Sequence, residues 1–392
     1  MTNAEQEAAV ALTPQLTVEG MRAAIRAWLA AQADTLDEFR HHRPEPVEDR
    51  WARDGRFMAR LFDVGFNRYG WPEEFGGFGG PQVLRNVLYD ELEAADYSVP
   101  EQYIQLEIQG AAFMKFAPHI AAKLMPAALR GDEMWAQGFS EPESGSDLAS
   151  LRCKAKRVGD EWVINGQKTW SSYAVSAQWM TVLCRTGTLD SRHRGITMLL
   201  VDLRAPGVEV RPVQLANGAN EVAEVFYDDV RVPADWIVGE ENGGWAVAMY
   251  LLQFERANYG WMRQAHIARR LRELSSEIAD PDRMAAATMG ECWLANLALR
   301  MRSGQTVLRL FAGETIGPEA SIDKIMLAQA EQPTNDAFRD LLPDRFLFGS
   351  DDKSELWRSD WYYSRAASIY GGAGEIQRGI IADRLLALPK EA

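Results

Sequence analysis

Positive charge is scarce in this chain. Lys and Arg number 42 against 56 Asp and Glu, for a net charge of −14, and a nucleic-acid binder needs a basic face to neutralise phosphates. No apolar run approaches the roughly 18 residues that span a bilayer. The amino terminus, MTNAEQEAAV, has no basic stretch followed by an apolar one, so no signal peptide is expected. Cysteine is limited to Cys153, Cys184 and Cys292, an odd number far apart. That spacing argues against a disulfide framework and for a reduced, cytoplasmic setting. The five histidines offer one close pair, His41-His42, which makes a zinc site unexpected. The dinucleotide signature GxGxxG, the phosphate loop GxxxxGK[ST], the zinc motif HExxH and the nucleophile motif GxSxG are all missing.

What is present is an ordinary globular composition, 47% hydrophobic and 25% charged, in 392 residues. That length exceeds one compact core and implies two or three packed units. Hydrophobic periodicity divides the chain into three zones. Residues 21–39, 50–66, 83–95 and 104–116 repeat apolar side chains at three and four, as helices do. From about 134 to 232 the period falls to two, with strands expected at 161–164, 179–184, 196–201 and 222–232. Helical spacing returns at 244–274, 282–311, 319–331, 354–368 and 375–386. The stretch 332–353, rich in Pro, Asp and Gly, reads as a long loop. Helices, strands, then helices define an α+β fold with segregated regions rather than a doubly wound sheet. The expected domains are an N-terminal all-α domain (1–131), a middle β-barrel (132–240) and a C-terminal helical bundle (241–392).

Two segments carry chemistry. In Phe139-Ser140-Glu141-Pro142-Glu143-Ser144-Gly145-Ser146-Asp147 a strand runs into a turn of hydroxyls and backbone amides. Such a turn can hold an anionic or ring-carbonyl ligand, though taken alone the segment reads first as an ordinary Asx- or Ser-type turn. In Asn165-Gly166-Gln167-Lys168-Thr169-Trp170-Ser171-Ser172 the Asn-Gly pair predicts a hairpin turn. Trp170 and Ser172, two apart on the following strand, would share a face. An indole to stack and a hydroxyl to hydrogen-bond suit a flat ring with polar edges. A core tryptophan is the alternative in a chain that has 13 of them.

SEP-x-SGSD, NGQKTW-x-S, Arg231-Val232-Pro233, GEENGGW and the terminal YGGAGEIQRGIIADRLL follow one another in this order. Over roughly residues 71–388 the chain thereby resembles the acyl-CoA dehydrogenase family. The resemblance implies FAD as cofactor, with Phe139 and Ser140 along the flavin edge, Trp170 stacked near the ring and Ser172 reaching its reactive nitrogen. It places Ser146 at a position that serves cofactor and acyl-CoA. The family keeps its base, a glutamate, on one of two elements. Directly after the tyrosine of the terminal segment this chain has Gly371, whose amide is left as a donor to the thioester oxygen. Directly before an arginine on the first helix after the barrel it has Glu255, with Arg256 assigned to substrate binding.

Helix geometry bears on Glu255 independently. Ala248, Leu251, Leu252, Tyr259 and Met262 share its face, and no Lys or Arg stands three or four residues away. A carboxylate in an apolar stripe has a raised pKa, as a base requires. The competing reading is a buried glutamate satisfied by an arginine from another helix, Arg256 itself facing elsewhere.

The pattern also has gaps. The RxxFG and QxxGGxG segments with which homotetrameric members hold a neighbour's FAD are missing. An α2β2 heterotetramer with a second dehydrogenase-like subunit is therefore expected ahead of a divergent homotetramer. The resemblance implies an acyl-CoA substrate, bulky or branched and of the steroid side-chain kind, and an electron-transfer flavoprotein as acceptor. A flavin oxidase or monooxygenase on the same fold, and a non-catalytic partner subunit, are the alternatives.

Overall fold

The computed structural model describes residues 16–40 and 44–389. The MTNAEQEAAV terminus and the His41-His42 pair lie outside the described residues. Thr17 starts the first described helix, α1 (Val18–Ala31), by accepting the Gly20 N–H on its side-chain oxygen at 3.1 Å. Met21, Ile25, Trp28 and Leu29 then fall on one buried face. The remaining N-terminal helices are α2 (Val47–Val64), α3 (Val83–Ala94), α4 (Gln102–Gln105), α5 (Ala111–Phe116) and α6 (Pro118–Arg130), with a π turn at Leu106–Gly110 joining α4 to α5.

The middle region is one curled seven-stranded sheet: β1 (Trp135–Gly138), β2 (Lys154–Val158), β3 (Glu161–Ser172), β4 (Trp179–Arg185), β5 (Ile196–Asp202), β6 (Val208–Val213) and β7 (Val222–Pro233). Its order is β1-β4-β2-β3-β7-β6, with β5 also paired to β4. The two long strands, β3 and β7, run antiparallel as its backbone. Inward residues of alternating strands, among them Trp162, Ile164, Val182, Leu199, Val225 and Val230, fill its core.

Behind the sheet come α7 (Gly244–Glu277), α8 (Arg283–Phe311), α9 (Ala320–Leu341), α10 (Pro343–Phe348), α11 (Asp352–Ser364) and α12 (Gly374–Ile380). The long α7 joins the regions. Val247, Ala248 and Leu251 at its start belong to the core shared with the N-terminal helices and β5, and Ile267, Leu271 and Leu274 near its end belong to the bundle core. The order is helices, curled sheet, helices, the segregated α+β arrangement expected from the sequence.

Three local expectations need correction. Asn165-Gly166 is not a hairpin turn but lies within β3, where the register against β7 shifts between Ile164 and Gly166. Gly166 has φ +145, and a Cβ there would lie 2.7 Å from the Cys153 Cα, so close strand approach rather than a turn demands glycine. Asn165 ties β3 to β7 through Asp229, donating to its carboxylate at 2.9 Å and accepting its N–H at 3.0 Å. The turn sits instead at Gly159-Asp160, between β2 and β3. Secondly, the register shifts again between Lys168 and Ser171, and Trp170 has φ +57. The regular alternation invoked for Trp170 and Ser172 therefore does not hold. Thirdly, 332–353 is mostly helix. Pro333 sits inside α9, where Thr334 Oγ1 donates to the Ala330 carbonyl at 2.8 Å and Asn335 Nδ2 to that of Glu331 at 2.9 Å. Ala330, Thr334, Ala337 and Phe338 pack inward, and Phe338 stacks on Trp357 with centroids 4.2 Å apart. Tertiary packing outweighs the proline penalty.

Candidate functional site

A small recess opens where α7, α9 and the turn before α12 meet. Glu255, Arg256 and Tyr259 come from α7, Lys324 and Leu327 from α9, and Tyr370 and Gly371 from the turn. The structure thus brings together the three residues expected around the base, although Gly371 is more than a hundred positions from Glu255. Gly371 has φ +62, and a Cβ there would lie 3.0 Å from Glu255 Oε1 and 3.1 Å from Lys324 Cε. The carboxylate therefore occupies the space into which a side chain at 371 would project.

Burial pushes the Glu255 carboxyl above its ordinary value, and Arg256 and Lys324 act in the opposite sense. Glu255 forms no hydrogen bond or ion pair with a described residue. Arg256 does not face elsewhere, as expected, but lines the same recess. Burial lowers its pKa against the attraction of Glu255, and its Nε is buried without a partner. The cation brought from another helix is a lysine, not an arginine. Lys324 donates from Nζ to the Ala367 carbonyl and lies 4.6 Å over the Tyr370 ring, and burial lowers it to about 8.

Around the recess lies a polar seam. The Tyr259 hydroxyl is 3.3 Å from that of Tyr363 and donates to Tyr370 at 3.4 Å. Tyr370 in turn donates to Glu331 at 3.5 Å, and Arg263 pairs with Glu331. On the far side Glu221, raised to about 7 by burial and the nearby Glu101, hydrogen-bonds Tyr363. Tyr173 donates its N–H to the Glu221 carbonyl at 3.0 Å. The seam thus links the recess to the segment that follows Ser172.

That segment holds the second group of expected residues. Trp170 is 63% exposed, held outward by the strand irregularity, and Ser172 is half-buried near it. Phe139 and Ser140 are half-buried on the adjoining strand end, and the Ser140 carbonyl accepts the Thr169 N–H at 2.9 Å. A bulky indole presented to solvent from a strained backbone is uncommon in a strand. Together with the nearby hydroxyl it fits an aromatic ring with polar edges, so these residues could hold a flavin. Ser146 stands apart on the exposed SGSD turn, which is braced by an Arg192–Asp147 contact of 2.9 Å.

Sequence reasoning missed the support under this group. Lys168 is fully buried and pairs with Glu141 at 2.7 Å, while reaching the Phe139 carbonyl at 3.1 Å. Glu141 also accepts the N–H groups of Arg152 and Cys153 at 2.7 and 2.9 Å. A lysine at an inward strand position was the available signal. Lys324, by contrast, sits in an unremarked stretch of α9, and only the tertiary fold brings it to Glu255. Among the described residues there is no cluster of metal-binding side chains, and no helix is long and apolar enough to cross a membrane.

Comparison with known proteins bears on this geometry. The description "Acyl-CoA dehydrogenase, middle domain" matches residues 136–230, and "Acyl-CoA dehydrogenase, C-terminal domain" matches residues 242–386. The chain is 37% identical to acyl-CoA dehydrogenase IpdE1 of Mycobacterium tuberculosis, covering 96% of this chain and 99% of the relative. The IpdE1 protein of Mycolicibacterium smegmatis is 33% identical over the same shares. Among solved structures, one titled "Tcur3481-Tcur3483 steroid ACAD" superposes with a TM-score of 0.80 at 24% identity, over 97% of this chain and 100% of that one. The ChsE4-ChsE5 complex from Mycobacterium tuberculosis gives a TM-score of 0.77 at 24% identity, over 95% and 98%. At that identity the superpositions speak for the fold alone.

Proposed function

Because this chain belongs to the acyl-CoA dehydrogenase family, we propose that it oxidises an acyl-CoA thioester between its α and β carbons, with Glu255 as the base. The observation that carries the reading is the Glu255 carboxylate, unpaired, half-buried and set against the bare backbone of Gly371. A raised pKa suits it to take a weakly acidic α proton near neutral pH. The Gly371 amide is a donor toward the thioester oxygen, where negative charge develops as that proton leaves. Arg256 and the tyrosines wall the recess and hold the acyl group beside Glu255. In this reading FAD is the cofactor and, when bound, supplies an acceptor for the β hydrogen as hydride. Trp170 would stack on the ring, Phe139, Ser140 and Ser172 would line its edge, and Ser146 would contact the ligand from the SGSD turn.

The acyl group is bulky or branched, and steroid side-chain thioesters are the first to try. Electrons would pass to an electron-transfer flavoprotein in the cytoplasm. The assembly we infer is an α2β2 heterotetramer, since the chain lacks the segments that complete a neighbour's FAD site. Its exposed apolar residues favour association: Met284, Leu294, Leu297, Met301 and Leu308 lie along α8, each more than half exposed. The test is to purify the chain with and without co-expressed dehydrogenase-like subunits, count flavin per chain, and follow flavin bleaching with a panel of acyl-CoAs. A flavin-replete assembly that no acyl-CoA bleaches would overturn the dehydrogenase reading. A stable homotetramer with one FAD per chain would overturn the heteromer alone.

A further inference from the structure

We propose that Lys324 is a positioning residue for the Glu255 carboxylate, facing it across Gly371 and holding it charged and aimed into the recess. The inference rests on the reading of Glu255 as the base. Glu255 Oε1 and Lys324 Cε stand 3.0 and 3.1 Å from one shared point, the place a Cβ of residue 371 would take. The two atoms are therefore no more than about 6 Å apart, close enough for an opposite charge on the lysine to favour the ionised carboxylate. Residue 371 must be glycine for this arrangement, because any side chain would part the two groups.

Lys324 is held for the task. Its Nζ is tied to the Ala367 carbonyl and lies 4.6 Å over the Tyr370 ring. The carboxylates that would otherwise claim it are engaged: Asp323 pairs with Arg302 at 2.9 Å, and Glu331 pairs with Arg263. The titratable and charged groups facing Glu255 are Arg256 and Tyr259 on its own helix, Lys324 on α9 and Tyr370 before α12. Lys324 also feels Glu331 and Arg256. Burial alone raises the Glu255 carboxyl and disfavours the charged form that a base needs. Arg256 and Lys324 oppose that, and Lys324 does so from the side of Gly371, where the proton is to be taken.

The test is a carbon-13 NMR titration of the Glu255 side-chain carboxyl in the full chain, in the assembly it forms. Glutamate is labelled at Cδ, and the signal is assigned by its loss in Glu255→Gln. Lys324→Met should raise the Glu255 midpoint by about one pH unit, and Lys324→Arg should restore it toward the wild type. An unmoved midpoint in a folded Lys324→Met chain overturns the inference. In the wild-type chain the Glu255 signal should show a second inflection near pH 8 as Lys324 loses its proton. This measurement decides the matter even if Lys324→Met does not fold, because a missing second inflection also overturns the inference. Turnover retained by Glu255→Gln would instead remove the base reading, and the titration would still report whether the two groups are coupled.

Discussion

Replacing Glu255 by glutamine removes one ionisable proton site while keeping nearly the same shape, which makes it a clean probe of the recess. No other carboxylate lines the cavity, and position 371 carries no side chain. No second base therefore stands ready, and general-base removal costs on the order of 10² to 10⁴ in rate. Turnover on the acyl-CoA that bleaches the wild type should fall at least a hundredfold, with flavin content unchanged. Stability should move the other way. A carboxyl whose folded pKa is raised binds its proton more tightly in the native state than in the unfolded chain. Native stability therefore falls as pH rises from the ordinary carboxylate value through the raised one, and the loss persists above it. Above the ordinary carboxylate value Glu255 therefore burdens the fold, so Glu255→Gln should melt at the same temperature as the wild type or higher. Loss of turnover with stability kept or gained is the signature of a group retained for chemistry rather than folding. Turnover within tenfold of wild type refutes the assignment, and a clear drop in melting temperature would show that Glu255 has a native partner.

Trp170→Ala should weaken FAD retention and shift the flavin absorbance, since a stacked ring contributes about 0.5–1.5 kcal/mol beyond its burial. Because the indole is 63% exposed, the melting temperature of the flavin-free chain should hardly change. Unchanged flavin content and spectrum would refute the stacking role. Asp54, buried on α2 and contacted by Arg53 at 3.3 Å, is raised to about 7, mainly by burial. Its ionisation lowers native stability as pH climbs from about 4 to about 7. The melting temperature of Asp54→Asn, measured against wild type, should therefore be more favourable at pH 8 than at pH 5. An equal difference at both pH values would sink that expectation.

What could be read from the sequence, and what could not, divides along a physical line. Amphipathic helices and buried strands announce themselves by period, because each side chain's burial follows from its own place in the element. Glu255 was visible for the same reason: a carboxylate in an apolar stripe breaks a local pattern. The misreadings fell where local chemistry has two outcomes and tertiary contact chooses between them. Asn-Gly suits a turn, but at 165–166 the close passage of Cys153 makes it a strand irregularity. Pro333 suits a loop, but Phe338 stacked on Trp357 keeps the helix whole. Lys324 lies furthest from sequence reasoning. Its meaning depends on Gly371 leaving a gap, Glu255 filling it from another helix, and Asp323 and Glu331 being taken by Arg302 and Arg263. Each of these conditions joins residues distant in the chain, and none leaves a periodic trace. A site whose proton affinity is set by several such conditions can move if any one of them changes.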